Sequence, residues 1–558
     1  MEPMLTRILS SNDEPTSCAT ARLCSSLLLC VFTAHQLAAD TYPRQPDVDA
    51  IHYTFQLFIT DLNEEIAGIS TARLRFATNK PREVTLDLVK STGATGMTVS
   101  AVTCDGKPAP FTHDGNRLAI TLTQPATAGG EVSCATTYRG IPAAGLRILN
   151  NIHGERTVFS ENWPDNARHW LPMIDHPYDK ATGEFIVTAP AQYQVVANGL
   201  LIEETDLPGG FRRTHWKQSV PIASWLYALG VARFTARHYA TSKGVAQQVW
   251  VFPQDADAGQ RVFDFTGRRA FDFFSEQIGP YSYEKLAHVQ AAGLGGGTEH
   301  ATVIFYGEKG VASGNAPVVH EVAHQWWGNA VTERDWDDVW LSEGFATYFT
   351  LLYSEQFDGR DAFVRGLRSS RDRVLQLEKK MPDTPIVHRN LSDMRHVLNQ
   401  FVYQKGAWTL HMLRYTIGTE HFWDGIRDYY RSYQNKNAST DELRLVMERA
   451  SHQSLGWFFT QWLTRGGVPA LKGSWSYDAT ARHVIVDIAQ SQPGEPYRLP
   501  LEFGIVVPGA APPRIERGEL NGREGRFSFP AEAEPSEVTL DPNTWLLMEP
   551  PAFGKRVR

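Results

Sequence analysis

Cysteine is scarce in this chain, five in 558 residues, and Cys18, Cys24 and Cys30 all fall in an N-terminal stretch that reads as a removable leader. A disulfide-rich scaffold is thereby excluded. The remaining two, Cys104 and Cys134, sit in neighbouring strand-like runs, where they either close one disulfide or stay as buried free thiols. There is no internal repeat and no coiled-coil heptad, which removes solenoid and long-coil architectures. Net charge is only −8, with no basic stripe, so neither nucleic acid nor an anionic membrane surface is expected as a partner. Long apolar runs are missing as well. The run from Leu23 to Thr33 is too short for a stable membrane helix.

That run does have the features of an export signal. Arg22 precedes it, and Leu37-Ala38-Ala39 before Asp40 resembles a signal-peptidase site. Residues 1–39 are therefore predicted to be a signal peptide, and the mature protein is predicted to work in the periplasm or outside the cell. The region before the run is long and carries Glu2, Asp13 and Glu14, as a misassigned start codon would produce. Leu29 before Cys30 disfavours a lipoprotein anchor.

The rest of the chain is long enough for several domains, with ample apolar and aromatic content for their cores. Over 40–235, runs such as Val84-Leu86-Leu88, Leu118-Ile120-Leu122 and Phe185-Val187 alternate or cluster at strand length between turn signals. This predicts an all-β domain. Over 236–465 longer helical patterns dominate, including Arg261 to Ile278, Gly406 to Ile417 and Leu443 to Ala450, closing with Trp457 to Leu463 and the Gly466-Gly467 break. Short strands return over 466–558, predicting a small β-sandwich.

The chemistry is concentrated in the second region. His320, Glu321, His324 and Glu343 follow the spacing H-E-x-x-H, eighteen residues, then E. Residues four apart share one helix face, so His320 and His324 can aim two imidazoles at one ion. Glu343 supplies a third ligand if Trp340 to Phe349 forms a second helix facing the first, leaving one position for water. Zinc lowers the pKa of such a water, and Glu321, beside the metal but not on it, is placed to act as general base and later to protonate the leaving amine. A lone H-E-x-x-H would read as a core histidine pair. The second glutamate and two apolar flanks make it a zinc site, one ion per chain.

His320 to Asn329, HEVAHQWWGN, together with Trp340 to Ala346, WLSEGFA, resembles the zinc signature of the M1 family of gluzincin aminopeptidases. The resemblance extends to Gly296-Gly297-Thr298-Glu299-His300, similar to the family's G-x-M-E-N, with Thr298 and His300 departing from it. It implies that Glu299 anchors the substrate's free α-amine, with Gly296 and Gly297 lining the substrate edge. Tyr403-Gln404-Lys405-Gly406 is similar to the family's Y-x-K-G and implies that Tyr403 stabilises the oxyanion. Ala167 to Ala181 carries an N-terminal-domain motif, and Glu161 just upstream is a second candidate amine contact or a solvated loop residue.

The family likeness implies a multidomain α+β protein: N-terminal all-β domain, thermolysin-like mainly α catalytic domain, small C-terminal β-sandwich. It also implies zinc-dependent removal of N-terminal residues from peptides with a free N-terminus. Rival readings are a zinc endopeptidase, an epoxide hydrolase on the same site, or a non-catalytic scaffold; the complete set of ligands, base and tyrosine argues against the last. Many family members continue into a helical domain that caps the site. Its lack here predicts a more open site, admitting longer peptides or capped by a partner subunit in a homo-oligomer.

Overall fold

The first half of the chain is dominated by strands whose side chains alternate in and out. In Lys180–Pro190, every second residue, from Ala181 through Phe185 and Val187 to Ala189, is buried and those between are not, as a strand with one face on a core must be. This computed structural model describes residues 40–509 and 512–556, which belong to one compact unit. The predicted signal peptide, with three of the cysteines, lies outside the described residues.

Lys180–Pro190 pairs in parallel with Val48–Ile59, which pairs antiparallel with Ile66–Phe76, in a sheet of eight strands. Phe55 and Phe185 from adjacent strands meet at 5.1 Å, and Tyr227 closes on Phe55 at 5.6 Å. Cys104 and Cys134 are direct partners on paired strands and are joined as a disulfide. The open choice between a bond and two free thiols falls to the bond.

The region predicted to be mainly helical also holds a five-stranded sheet. Its central strand, Lys285–Ala291, is buried at all seven positions, and its two neighbours run parallel to it. Strands covered on both faces do not alternate, and this one carries polar residues that find partners inside. Lys285 Nζ donates to Ala197 O at 2.6 Å, and Gln290 Oε1 accepts from Phe252 N at 2.9 Å. The short strand Gly297–Thr298 forms one of the sheet's two antiparallel edges.

Helices fill the rest of this region. Ala256–Gln277 covers the helix predicted from Arg261 to all but its last residue, and Gln400–Ile417, Thr440–Ser451 and Gly456–Leu463 each contain a predicted helix. Ser439 and Glu442 cap the third reciprocally, satisfying amides that a helix start leaves free. Trp340–Asp358 and Gln400–Ile417 cross where Gly344 faces Gly406: a Cβ on Gly406 would lie 3.1 Å from the Gly344 Cα. Two glycines at the crossing let the backbones approach closely.

The C-terminal strands form a four-stranded and a three-stranded sheet. Phe503 of the smaller sheet meets Phe527 and Phe529 of the larger at 5.1 and 5.3 Å, giving the expected sandwich.

Candidate active site

His320 and His324 lie on the helix Val318–His324, and Glu343 lies in the first turn of Trp340–Asp358. The two imidazole Nε2 atoms are 3.1 Å apart, and Glu343 Oε2 is 3.4 Å from the first and 3.3 Å from the second. The first helix is short because the chain turns at Gly328, whose φ of +99° is open to glycine. A Cβ there would also strike the Ser342 hydroxyl. That hydroxyl and the Trp327 carbonyl both sit 3.1 Å from His324 Nδ1. They fix the ring so that Nε2 points at the cluster.

These residues fit a zinc ion. Glu343 Oε2 is buried with no hydrogen-bond partner, and two facing imidazole nitrogens with a carboxylate oxygen make a convergent donor set that a cation satisfies. The electrostatics agree. Burial opposes a charged His324, but the Glu299 and Glu343 carboxylates outweigh it and push the imidazole up to about 10. Burial would raise Glu343, yet the His324 and His320 rings hold it down at about 2. Carboxylates and imidazoles thus converge within a few ångströms, a donor set suited to a cation.

Around the cluster is a cavity of about 460 Å³ to which Glu161, Gly296, Gly297, Glu299, Glu321 and Tyr403 all contribute. Glu321 is buried, and its carboxyl is raised well above the ordinary range by burial and then by Glu299. Gly297 makes room for it: a Cβ there would come within 2.4 Å of the Glu321 carboxyl, whereas Gly296 faces open space. Glu299 is pushed up to about 6 by burial, with His324 pulling it back. Its Oε1 is buried and unpartnered. Its backbone carbonyl accepts hydrogen bonds from Gln325 Nε2 at 3.0 Å and Asn329 Nδ2 at 2.6 Å. Gln325 and Asn329, just after the second histidine, thus hold the backbone at Glu299 in place.

Tyr403 donates its hydroxyl to Glu343 Oε1 at 2.8 Å, and burial and Glu343 raise its pKa far above the phenol range. It stays neutral and able to donate. Glu161 lines the cavity, but its carboxylate is paired with Arg147, which also donates to Gly293 O at 2.7 Å.

Sequence reasoning missed part of the wall. Met394, Val397 and Leu398, from a segment without helix or strand periodicity, complete the cavity, joining Trp163 and Pro164 from the stretch that carries Glu161. Only the fold brings them there. A larger concavity of about 1050 Å³ lies on the eight-stranded sheet, lined by Phe58, Ile69 and Tyr138 among others. It holds no ligand set or buried carboxylate pair, so the chemistry belongs to the smaller cavity.

Fold and site together define a mononuclear zinc centre of the His-His-Glu class with a carboxylate beside the metal. Residues 267–462 match the Peptidase family M1 domain and residues 49–226 match the Peptidase M1 N-terminal domain. The chain belongs to peptidase family M1. Glutamyl aminopeptidase of Homo sapiens is 28% identical over 358 residues, which is 61% of this chain and 37% of that protein. Aminopeptidase M1-C of Oryza sativa subsp. japonica is 27% identical, covering 55% of this chain and 36% of its own length. The matched part is thus little more than a third of each of these relatives. Among solved structures, an M1 zinc metallopeptidase from Deinococcus radiodurans superposes with a TM-score of 0.65 at 24% identity, covering 75% of this chain and 94% of that one. Legionella pneumophila aminopeptidase A, in complex with aspartic acid, gives 0.78 at 16% identity, with 93% and 61% covered.

Proposed function

We propose that this protein is a zinc aminopeptidase, removing the N-terminal residue from peptides. One observation carries the reading: Glu299, a buried carboxyl with an unpartnered oxygen, shares a cavity with the metal ligands and Glu321. A fixed carboxylate there pairs with a substrate ammonium and sets the cut at the first peptide bond.

His320, His324 and Glu343 would hold the zinc, which acts as a Lewis acid and acidifies its water. Glu321, with its raised affinity for a proton, takes one as the scissile carbonyl is attacked and returns it to the departing amine. Tyr403 donates to the oxygen that becomes negative in the transition state. Before substrate arrives its hydroxyl rests on Glu343.

The proposed place of work is the periplasm or the extracellular space. The Leu23 to Thr33 run and the Leu37-Ala38-Ala39 site support this, and so does the Cys104–Cys134 disulfide.

The test is hydrolysis of one peptide, free and N-acetylated, before and after chelation. Cleavage of the free form alone, abolished by the chelator and restored by zinc, is expected. Equal cleavage of both forms would remove Glu299 from its anchoring role and favour an endopeptidase.

A further inference from the structure

Asp40, the residue after the predicted leader, is 4% exposed, an unusual environment for a charged residue at a chain end. Its backbone nitrogen donates to Asp335 Oδ1 at 2.8 Å. Its carboxylate accepts from His176 Nε2 at 2.8 Å, Trp336 N at 3.0 Å and Tyr42 N at 3.1 Å, and lies 3.1 Å from the Arg44 guanidinium. The same guanidinium is 3.1 Å from Asp335 Oδ2.

The charges of this cluster do not balance while residue 39 is attached. Asp40 and Asp335 bring two carboxylates against one guanidinium. Burial disfavours a charged His176. Asp337, on the same turn, adds a third carboxylate, which accepts from the Asn390 and Leu391 amides, with His388 the imidazole acting on it. Asp335 bears the excess, pushed up to about 7 by burial and by Asp40. One more positive charge at the Asp40 nitrogen would pair with Asp335 at hydrogen-bond distance.

We propose that hydrolysis of the Ala39–Asp40 bond turns this nitrogen into an α-ammonium that completes the cluster and fastens the turn leading to Glu343. Water adds across the bond: Ala39 leaves with a carboxylate, and the Asp40 nitrogen becomes an ammonium, the cut being made by a signal peptidase of the export machinery. The same atom then holds its present position with a full charge. Asp335 and Trp336, both fastened by Asp40, open the turn Trp336–Asp338 that runs into Trp340–Asp358. Trp336 packs at 5.0 Å on Trp163 of the active-site wall. The mature N-terminus is thus a positioning element for the zinc helix. This rests on the leader reading and not on aminopeptidase activity, so the test needs no turnover.

The full chain is expressed in an exporting host and its mature N-terminus mapped by mass spectrometry. Asp40 is expected; another start overturns the proposal. On protein beginning at Asp40, acylation of the α-amine is timed in the native state. It is expected to be at least about tenfold slower than in the Asp335→Asn variant, one pKa unit being a tenfold change in free amine. If that variant does not fold, the comparison is with the wild-type protein in urea, and equal reactivity in the two states overturns the proposal. Finally, Asp335→Asn is placed in protein beginning at Asp40 and in protein retaining Ala39. It should lower the unfolding midpoint of the first and leave the second unchanged or raised. Equal losses in both would make Asp335 a mere capping partner and refute the ion pair.

Discussion

At the residue scale the site rests on environments that move proton affinities in opposite directions within a few ångströms. Glu343, flanked by two imidazoles, is held ionised, whereas burial and then Glu299 raise the proton affinity of Glu321. Such a split separates ligand from base. Glu321→Gln keeps the shape and removes the base. It is expected to lower kcat by about 10²- to 10⁴-fold, the usual value of acid–base catalysis, with zinc content unchanged by elemental analysis. Tyr403→Phe removes a donor used mainly in the transition state and should cost kcat about 10²- to 10³-fold. KM should stay near its original value in the same steady-state assay. An equal rise in KM would instead make Tyr403 a ground-state contact.

Among the elements, the crossing of Trp340–Asp358 with Gln400–Ile417 sets the distance between Glu343 and Tyr403. Gly344 follows Glu343 directly, and Gly406 stands one helical turn after Tyr403. A Cβ on Gly344 would lie 3.0 Å from the Gly406 Cα and 3.1 Å from the Val402 carbonyl, so the two helices must separate to admit it. Gly406→Ala is therefore expected to lower the free energy of unfolding by about 1–3 kcal/mol, as overpacking does. It should also reduce kcat, because Tyr403 moves off Glu343; calorimetry and kinetics on one preparation check both. Both helices were legible from their apolar patterning. The Gly–Gly contact was not, since nothing in either segment identifies the other as its partner.

For the molecule as a whole, acidity controls stability through carboxyls buried by the packing of the β region. Asp179 is buried, with Oδ1 unpartnered and Oδ2 accepting from Ala50 N at 3.2 Å. Burial, opposed by that hydrogen bond, pushes it up to about 8 from an ordinary 3.8. Between those values the folded chain holds a proton that the unfolded chain has released. Stability from this group is thus full below pH 3.8 and falls as pH rises to 8, by at most about 1.4 kcal/mol per unit. Asp179→Asn removes that slope: its midpoint relative to wild type should rise steadily from pH 5 to pH 8. A constant difference across that range would mean that Asp179 is ionised in the folded protein.

The sequence by itself determined the zinc ligands and their neighbour Glu321, because their geometry is local: two residues four apart on one helix, and a third on the next. It also determined that strands dominate both ends of the chain and helices the middle, since period and punctuation are written in neighbouring residues. Tertiary structure alone decided the central five-stranded sheet, whose key strand is buried on both faces and so carries no alternation. It decided that the Glu161 carboxylate pairs with Arg147, and that Met394, Val397 and Leu398 close the cavity. It also brought the Asp40 nitrogen to Asp335, 295 positions away. Each of these depends on which surfaces pack together, a property of the whole core rather than of any one segment.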